Sequence, residues 1–412
     1  MLKFNTIELP HEKLKGARVM ANDTINPGAN KLGFGYMRLP QVNGVFVDEQ
    51  VNAIVDRFLE LGFTYFDSAN EYLGSEIALG KALVKRHPRD SFWISSKMMI
   101  TRLKRAEQML DMFETSLSRL GVEYLDSYFI HGMGPGIVPH ADALDTWGFL
   151  KDLKDRGLIR NAGTAYFGPP DVLDEILTKH PQLDIVMLLI TYVDWVRPNS
   201  MVRENYEVVR KHGKLVTIME PLKGGLLASE NSDAGKLLKA ANPDVSVASW
   251  AFRWLLGLDG IKAILSGMGT MEQLEDNAKT FNNYTPLTDA ERALMDEAEK
   301  KISSIERIPC TSCRECAPHC PMNIAIPHFV NCYSDYLIYQ DKEGPGWQMG
   351  YMKTHGSGVP GECTQCKACE EHCPQNIKIS EIMEIMERDL GETSRKYVQI
   401  TRSDVRSYKT YD

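Results

Sequence analysis

Eight of the nine cysteines fall into two runs with the same spacing: Cys310, Cys313, Cys316 and Cys320 in CTSCRECAPHCP, and Cys363, Cys366, Cys369 and Cys373 in CTQCKACEEHCP. Both read C-x2-C-x2-C-x3-C-P, a [4Fe–4S] pattern. Three closely spaced thiolates cap three iron corners of one cubane, and the cysteine before proline commonly serves the other cluster. The expected ligand sets are therefore Cys310, Cys313, Cys316 and Cys373 for one cluster, and Cys363, Cys366, Cys369 and Cys320 for the second. A pair of zinc sites is the competing reading. A disulfide framework suits small exported chains; this one is long and begins with scattered charges and no apolar leader. Cys332 fits neither motif and reads as a buried free thiol.

A second group of chemical residues lies upstream. Asp67 closes the run TYFD, Lys97 closes WISSK, His131 closes YFIH, and Tyr72 follows Asp67 by five positions. If those runs are neighbouring barrel strands, all four side chains meet at the C-terminal mouth, where barrel enzymes carry their chemistry. A phenol of pKa ~10 is a poor acid–base group near neutrality unless adjacent positive charge stabilises the phenolate. Lys97, oriented by Asp67, supplies that charge to Tyr72, and His131 can hydrogen-bond a carbonyl oxygen. The set would protonate an alkoxide as a hydride reaches carbon.

The elements that must position these residues are legible as a repeat. From about residue 32 to 281 short apolar runs alternate with segments of helical period: KLGFGYM, FTYFDSA, FWISSKM, YLDSYFIH, IRNAGTAY, DIVMLLI, KLVTIME and IKAILSG. Runs of this kind are buried parallel strands, and Gly62, Gly121, Gly157 and Gly213 close several of the intervening helices. Eight alternations over ~250 residues predict an α/β fold of the (β/α)8 TIM-barrel type, not an open sheet. No glycine-rich dinucleotide fingerprint follows the first run. The barrel is expected over 31–285. It is preceded by a segment (1–30) with room for a hairpin at the barrel floor. An exposed connecting helix (286–307), a small, mainly helical cluster domain (308–386) and a charged tail (387–412) follow it.

Composition agrees with such a protein. Lysine plus arginine number 47 and aspartate plus glutamate 55, a net charge of −8, which argues against coating nucleic acid. With 43% hydrophobic and 25% charged residues the chain can bury a full core. No apolar run is long enough to span a bilayer, so a cytoplasmic protein is expected.

The words GFGYMRLP, YFDSANEY with GSE and LGKAL, WISSK, SLSRLGVEYLDSYFIH, LKDLKDRGLIRNAG, MEPLKGG and SGMGTMEQLEDN resemble, in this order over about residues 31–285, the aldo-keto reductase superfamily. The resemblance implies that Asp67, Tyr72, Lys97 and His131 are the catalytic tetrad, with Tyr72 as general acid, and that NAD(P)H is the hydride donor. It also places the cofactor contacts. Ala165 and Tyr166 stand where the family has a Ser–Asn pair for the nicotinamide carboxamide, and Met187 stands at its Gln; alanine and methionine cannot make those hydrogen bonds. Pro221, Leu222, Lys223 and Gly224 begin a loop whose backbone N–H groups could cradle a pyrophosphate. Ser266, Gly267, Gln273 and Asn277 match the segment that grips the adenosine end. Gly267 and Gln273 replace basic residues that pair with a 2′-phosphate, so NADH is expected at least as readily as NADPH.

The amphipathic stretch between the cysteine runs, 321–362, is similar to the α-helical dicluster ferredoxins. The whole module resembles the C-terminal extension of iron–sulfur aldo-keto reductases of anaerobes. Together these imply two [4Fe–4S] clusters and an oxidoreductase that reduces a small carbonyl or oxidises an alcohol, the clusters exchanging single electrons with an electron-transfer protein. Nicotinamide carries hydride and cubanes carry single electrons. Two alternatives therefore stay open: a nicotinamide-independent redox enzyme fed by the clusters, and an electron-transfer subunit with a non-catalytic barrel.

Overall fold

The computed structural model describes residues 31–407, apart from 38, 40, 43, 44, 73, 198, 199, 311, 312 and 355. The hairpin expected within 1–30 and the end of the charged tail lie outside the described residues. Each of the eight apolar runs holds one strand, β6 running two residues past its run: β1 (Leu32–Gly35), then, after a two-residue-strand hairpin β2 (Gln41–Val42) and β3 (Val45–Phe46), β4 (Tyr65–Asp67), β5 (Trp93–Met98), β6 (Leu125–Met133), β7 (Ile159–Tyr166), β8 (Ile185–Leu189), β9 (Leu215–Met219) and β10 (Ile261–Ser266). Apart from the antiparallel pair β2–β3, all pairings are parallel, and the order β1-β10-β9-β8-β7-β6-β5-β4 closes on itself. This is the (β/α)8 barrel of the sequence reading.

The barrel follows from the alternation of side chains along each strand. One set of alternate residues, including Tyr65, Phe129, Ala165, Ile185, Met187, Ala263 and Leu265, fills the interior as one apolar cluster. The other set meets amphipathic helices; the helix Asp48–Glu60 buries Val51, Ile54, Val55 and Phe58, a helical stripe. Gly62, Gly121, Gly157 and Gly213 all take the left-handed conformation expected after helix C-termini.

Among the described residues the chain divides into two compact units, and the division is not a single cut. The first holds 31–40, Val47–Pro221 and Ala251–Leu287; the second holds Gln41–Phe46, Leu222–Trp250 and 288–407. The second unit therefore includes the chain that follows β1 and the chain that follows β9. Its helix Asp289–Ser303 opens with a capping box, in which Glu291 N–H donates to Thr288 Oγ1 at 3.2 Å and Thr288 N–H donates to Glu291 Oε2 at 2.8 Å. The connector is mostly exposed, as expected, with one buried face. Met295, Ala298 and Ile302 are covered, and the helix packs on Asp233–Ala241. The stretch between the cysteine runs forms helices Ile326–Tyr339 and Glu343–Thr354. The last helix, Ile379–Ser407, continues through the expected boundary at 386. Ile324, Ile326, Phe329, Val330, Met383, Met386 and Leu390 form the core of this unit.

Glu343–Thr354 and Ile379–Ser407 approach closely at glycines. A Cβ on Gly350 would stand 2.7 Å from Tyr397 Cβ and 2.9 Å from the Ser394 carbonyl. Gly350→Val is accordingly expected to cost about 1–3 kcal/mol by overpacking, read as a lower thermal midpoint for this unit. Among the described residues, no helix is long and apolar enough to cross a membrane.

Candidate functional site

Asp67 ends β4, Lys97 lies near the end of β5 and His131 near the end of β6, three adjacent strands of the barrel. Tyr72 lies on the loop leaving β4, and that loop is sewn to β5: Ser68 N–H donates to the Ser95 carbonyl at 2.9 Å and Asn70 N–H to that of Lys97 at 3.2 Å. The Lys97 ammonium donates to Asp67 and, at 2.7 Å, to the Ser68 carbonyl. Ser95 Oγ donates to the other Asp67 oxygen at 2.7 Å. Lys97 Nζ lies 4.8 Å from the centre of the Tyr72 ring, and the Tyr72 and His131 rings meet edge to face at 5.6 Å. All four side chains thus converge. Lys97 and Asp67 are 1% and 3% exposed, whereas Tyr72 and His131 remain partly open, the arrangement a reactant needs.

Charge follows from burial and contact. Burial disfavours the Lys97 ammonium, but Asp67 and Tyr72 outweigh it and hold its pKa above the ordinary lysine value. Asp67 is raised chiefly by its own burial, against the pull of Lys97. For Tyr72, burial raises the phenol, Lys97 pulls it down, and Asp67 and Glu220 oppose Lys97; the net shift is upward. The phenol therefore keeps its proton until a stronger base arrives, and an alkoxide is such a base. Lys97 moderates the cost of phenolate without making Tyr72 acidic at rest, which refines the expectation drawn from the sequence.

Burial, reinforced by the Lys97 charge, lowers His131 from 6.5 to about 3. Its imidazole is therefore neutral near neutrality. The unfolded chain takes up the proton first, so this contribution to stability is complete above ~6.5 and is lost as pH falls toward about 3. The wild type is expected to lose urea resistance faster than His131→Phe as pH drops from 6.5 to 4. Parallel losses in the two proteins would show that the ring is solvated.

Two acidic residues of this region were not singled out by sequence reasoning. Glu76, within the GSE word, is 2% exposed; it accepts from Ser96 Oγ at 2.6 Å and pairs with Arg119 at 3.3 Å. Arg119 in turn donates to the Asn70 carbonyl at 3.3 Å, which braces the Tyr72 loop. Glu220 follows β9 with φ of 50°, a conformation uncommon for glutamate, and its charge bears on Tyr72. The signal for both was a carboxylate inside an otherwise apolar or glycine-rich word.

The remaining positions expected to touch a cofactor divide into two groups. Ala165 and Met187 are register partners across β7 and β8, each 1% exposed within the apolar cluster, and Tyr166 donates its hydroxyl to the Pro169 carbonyl at 2.7 Å. None of these three presents a polar side-chain atom for a carboxamide. On the adenosine side, Asn277 Nδ2 donates to Ser266 Oγ at 3.0 Å, and Gln273 Oε1 accepts from Gly269 N–H at 2.7 Å, beside Gly267. Pro221 ends a segment of the first unit, whereas Leu222, Lys223 and Gly224 belong to the second.

The cysteines gather around two cavities. One cavity, about 330 Å³ with its open side included, is lined by Cys310, Cys313, Cys316 and Cys373. Another of about 340 Å³ is lined by Cys320, Cys363, Cys366 and Cys369. Each set takes three thiols from one motif and the proline-flanked thiol from the other. The two motifs share their backbone form: Arg314 and Lys367 are left-handed at φ of 67° and 62°, and Asn323 and Asn376 at 52° and 53°. Among the described residues no three His, Cys, Asp or Glu side chains close tightly enough to hold a metal ion. The thiols instead ring a space, which fits a polynuclear cluster better than one zinc. Cys332 is buried, its thiol 3.1 Å from Gln348 Oε1 and raised chiefly by burial.

Comparison with known proteins meets this geometry from outside. Residues 309–379 match the 4Fe-4S dicluster domain. NADH-specific methylglyoxal reductase of Escherichia coli is 26% identical, with 66% of this chain and 95% of that protein aligned. The holo form of an aldo-keto reductase from Bacillus halodurans superposes with a TM-score of 0.53 at 26% identity, covering 65% of this chain and 91% of that one. An aldo/keto reductase from Klebsiella pneumoniae solved with NADP and acetate shares the fold, with a TM-score of 0.54 at 20% identity over 65% and 90% of the two chains. The aldo/keto reductase family itself matches residues 31–300. With the closed parallel barrel and that match spanning most of its length, the chain belongs to the aldo/keto reductase family and is an oxidoreductase that carries a C-terminal 4Fe-4S dicluster domain.

Proposed function

We propose that this protein is a cytoplasmic iron–sulfur carbonyl reductase in which Tyr72 is the general acid. The observation that carries the proposal is the Tyr72–Lys97 contact, with Lys97 fixed by Asp67 and the Ser68 carbonyl. A carbonyl oxygen placed between Tyr72 and His131 accepts a hydrogen bond from the phenol, and the neutral imidazole polarises it further. As negative charge grows on that oxygen, the phenol proton moves to it. The ammonium of Lys97 stabilises the phenolate left behind, and in the reverse direction the same phenolate takes the proton of an alcohol.

NAD(P)H, when bound, supplies the hydride. Ser266 and Asn277 suit its nucleotide end, whereas Ala165 and Met187 give its carboxamide no side-chain partner. The E. coli relative, named as NADH-specific, and the absence of a basic side chain at Gly267 and Gln273 support NADH at least as strongly as NADPH. Two [4Fe–4S] clusters, when bound by Cys310, Cys313, Cys316 and Cys373 and by Cys363, Cys366, Cys369 and Cys320, supply single-electron transfer toward a partner protein. The apolar carboxamide positions favour one second reading: a redox enzyme independent of nicotinamide and fed by the clusters. Anaerobic titration of NADH and NADPH against protein fluorescence separates the two, with methylglyoxal as the test carbonyl. Saturable binding with turnover supports the first reading, and no binding of either nucleotide favours the second.

A further inference from the structure

We propose that the stacked imidazoles of His319 and His372 are a spacer that fixes how far apart the two clusters stand, and with it the passage of single electrons between them. The proposal rests on the two-cluster reading above, which supplies the groups to be spaced. The two cysteine motifs agree beyond their thiols: CAPHCPMNIAI and CEEHCPQNIKI share C-x2-H-C-P-x-N-I-x-I. Neither histidine is needed as a ligand, since each cavity already has four thiols. The backbone repeats as faithfully as the residues. Cys320 N–H donates to the Ala317 carbonyl at 3.3 Å, and Cys373 N–H to that of Glu370 at 3.1 Å. Asn323 and Asn376 N–H donate to the Cys320 and Cys373 carbonyls at 3.1 and 3.0 Å. Each motif then starts a helix, one at Ile326 and the other at Ile379.

This repetition brings equivalent residues together in pairs. Ile326 and Ile379, each 2% exposed, line both cavities and so form a wall between them. His319 and His372 are exposed, and their rings lie 3.4 Å apart, centre to centre, at 11° from parallel. Free aromatic pairs favour offset or edge-on packing with centres about 4.5–7 Å apart. The overlap of these rings is therefore imposed by the two chain segments, which bear on each other through them. Carbon atoms in contact are at their optimum about 3.5–4.0 Å apart, so the rings come no closer and set a minimum separation. Each histidine precedes a thiol that crosses between motifs, Cys320 to one cavity and Cys373 to the other. The stack thus bears on one ligand of each cluster at once. Cubanes pass single electrons, and electronic coupling falls steeply with separation, so the thickness of two flat rings has a consequence here that core packing does not account for.

The test compares His319→Ala/His372→Ala, which removes the spacer, with His319→Phe/His372→Phe, which keeps two flat rings. Both are made in the full-length protein and reconstituted anaerobically. Iron and sulfide are counted, and the EPR spectrum is recorded with both clusters reduced, when neighbouring paramagnets split each other's signals. The wild type and the phenylalanine pair are expected to hold about eight iron per chain and to show the same splitting. The alanine pair should hold as much iron and show a wider splitting, as the two clusters close up. An alanine pair whose splitting is unchanged or narrower overturns the proposal. So does a phenylalanine pair that matches the alanine pair, since the imidazole nitrogens and not the ring thickness would then matter. If the alanine pair loses iron, the phenylalanine pair decides: full iron with the wild-type splitting sustains the spacer, and loss in both overturns it. A wild type that holds zinc, or only about four iron, refutes the two-cluster reading and this proposal with it, whereas the spacer fails alone only where the full iron count is present.

Discussion

Tyr72→Phe is expected to slow carbonyl reduction by about 10²–10⁴-fold, the usual worth of a positioned general acid, while the affinity for nucleotide stays within about twofold. The substitution removes one oxygen and its interaction with Lys97, while the other bonds that hold Lys97 stay. Lys97 keeps its bonds to Asp67 and the Ser68 carbonyl, and the ring that faces His131 keeps its shape. With Lys97 still held by Asp67 and the Ser68 carbonyl, a loss with nucleotide affinity unchanged reports proton transfer and not collapse of the mouth. Lys97→Met would be a worse probe, because it leaves the Asp67 carboxylate buried without its partner, at a cost of about 3–5 kcal/mol. Turnover of Tyr72→Phe at the wild-type rate would remove the phenol as the acid and leave His131 or water in that role.

The second large effect concerns the clusters. Wild-type protein reconstituted under anaerobic conditions should hold about eight iron and eight sulfide per chain, two cubanes' worth. Cys373→Ala is expected to halve this, and the cluster lost should be the one otherwise held by Cys310, Cys313 and Cys316, whose cavity Cys373 lines. Cys310→Ala should then leave the same surviving EPR signal, and the double variant Cys310→Ala/Cys373→Ala should lose nothing more. Cys363→Ala/Cys373→Ala should lose both clusters. If Cys373→Ala and Cys363→Ala instead leave the same signal, the thiols do not cross between motifs. Zinc in place of iron would remove the cubanes altogether.

Much of this molecule was legible in its residues, for physical reasons that differ from element to element. All eight barrel strands fall on mainly apolar runs because parallel strands buried on both faces are built mostly of apolar residues, and those that carry polar side chains inside, such as Asp67 and Lys97, pair them with partners. The gathering of the cysteines was readable because the two motifs repeat one spacing, which puts Cys316 and Cys369 in equivalent buried places, each 7% exposed. The convergence of Asp67, Lys97 and His131 was readable from strand ends alone. The rest depends on contacts distant in sequence. That Gln41–Phe46 and Leu222–Trp250 join the cluster unit cannot be read from local periodicity, since Leu226 and Leu227 look like core residues wherever that core lies. The bracing of the Tyr72 loop through Glu76 and Arg119 joins residues 43 positions apart. The upward shift of the Tyr72 phenol is a balance of burial against Lys97, and only the enclosed geometry shows that burial prevails.

The crossing of thiols between the two cavities has a bearing on how the protein is made. A nascent chain presents Cys310 to Cys320 well before the second motif; the ring holding Cys320 is complete only once Cys369 has left the ribosome, and the other only once Cys373 has. The barrel strands, complete at Ser266, can close first. On the two-cluster reading, cluster insertion would therefore be a late event, the two four-thiol rings completing within four residues of each other, and a chain stalled between the motifs would offer the cell's assembly factors the four thiols of the first motif without a complete ring for either.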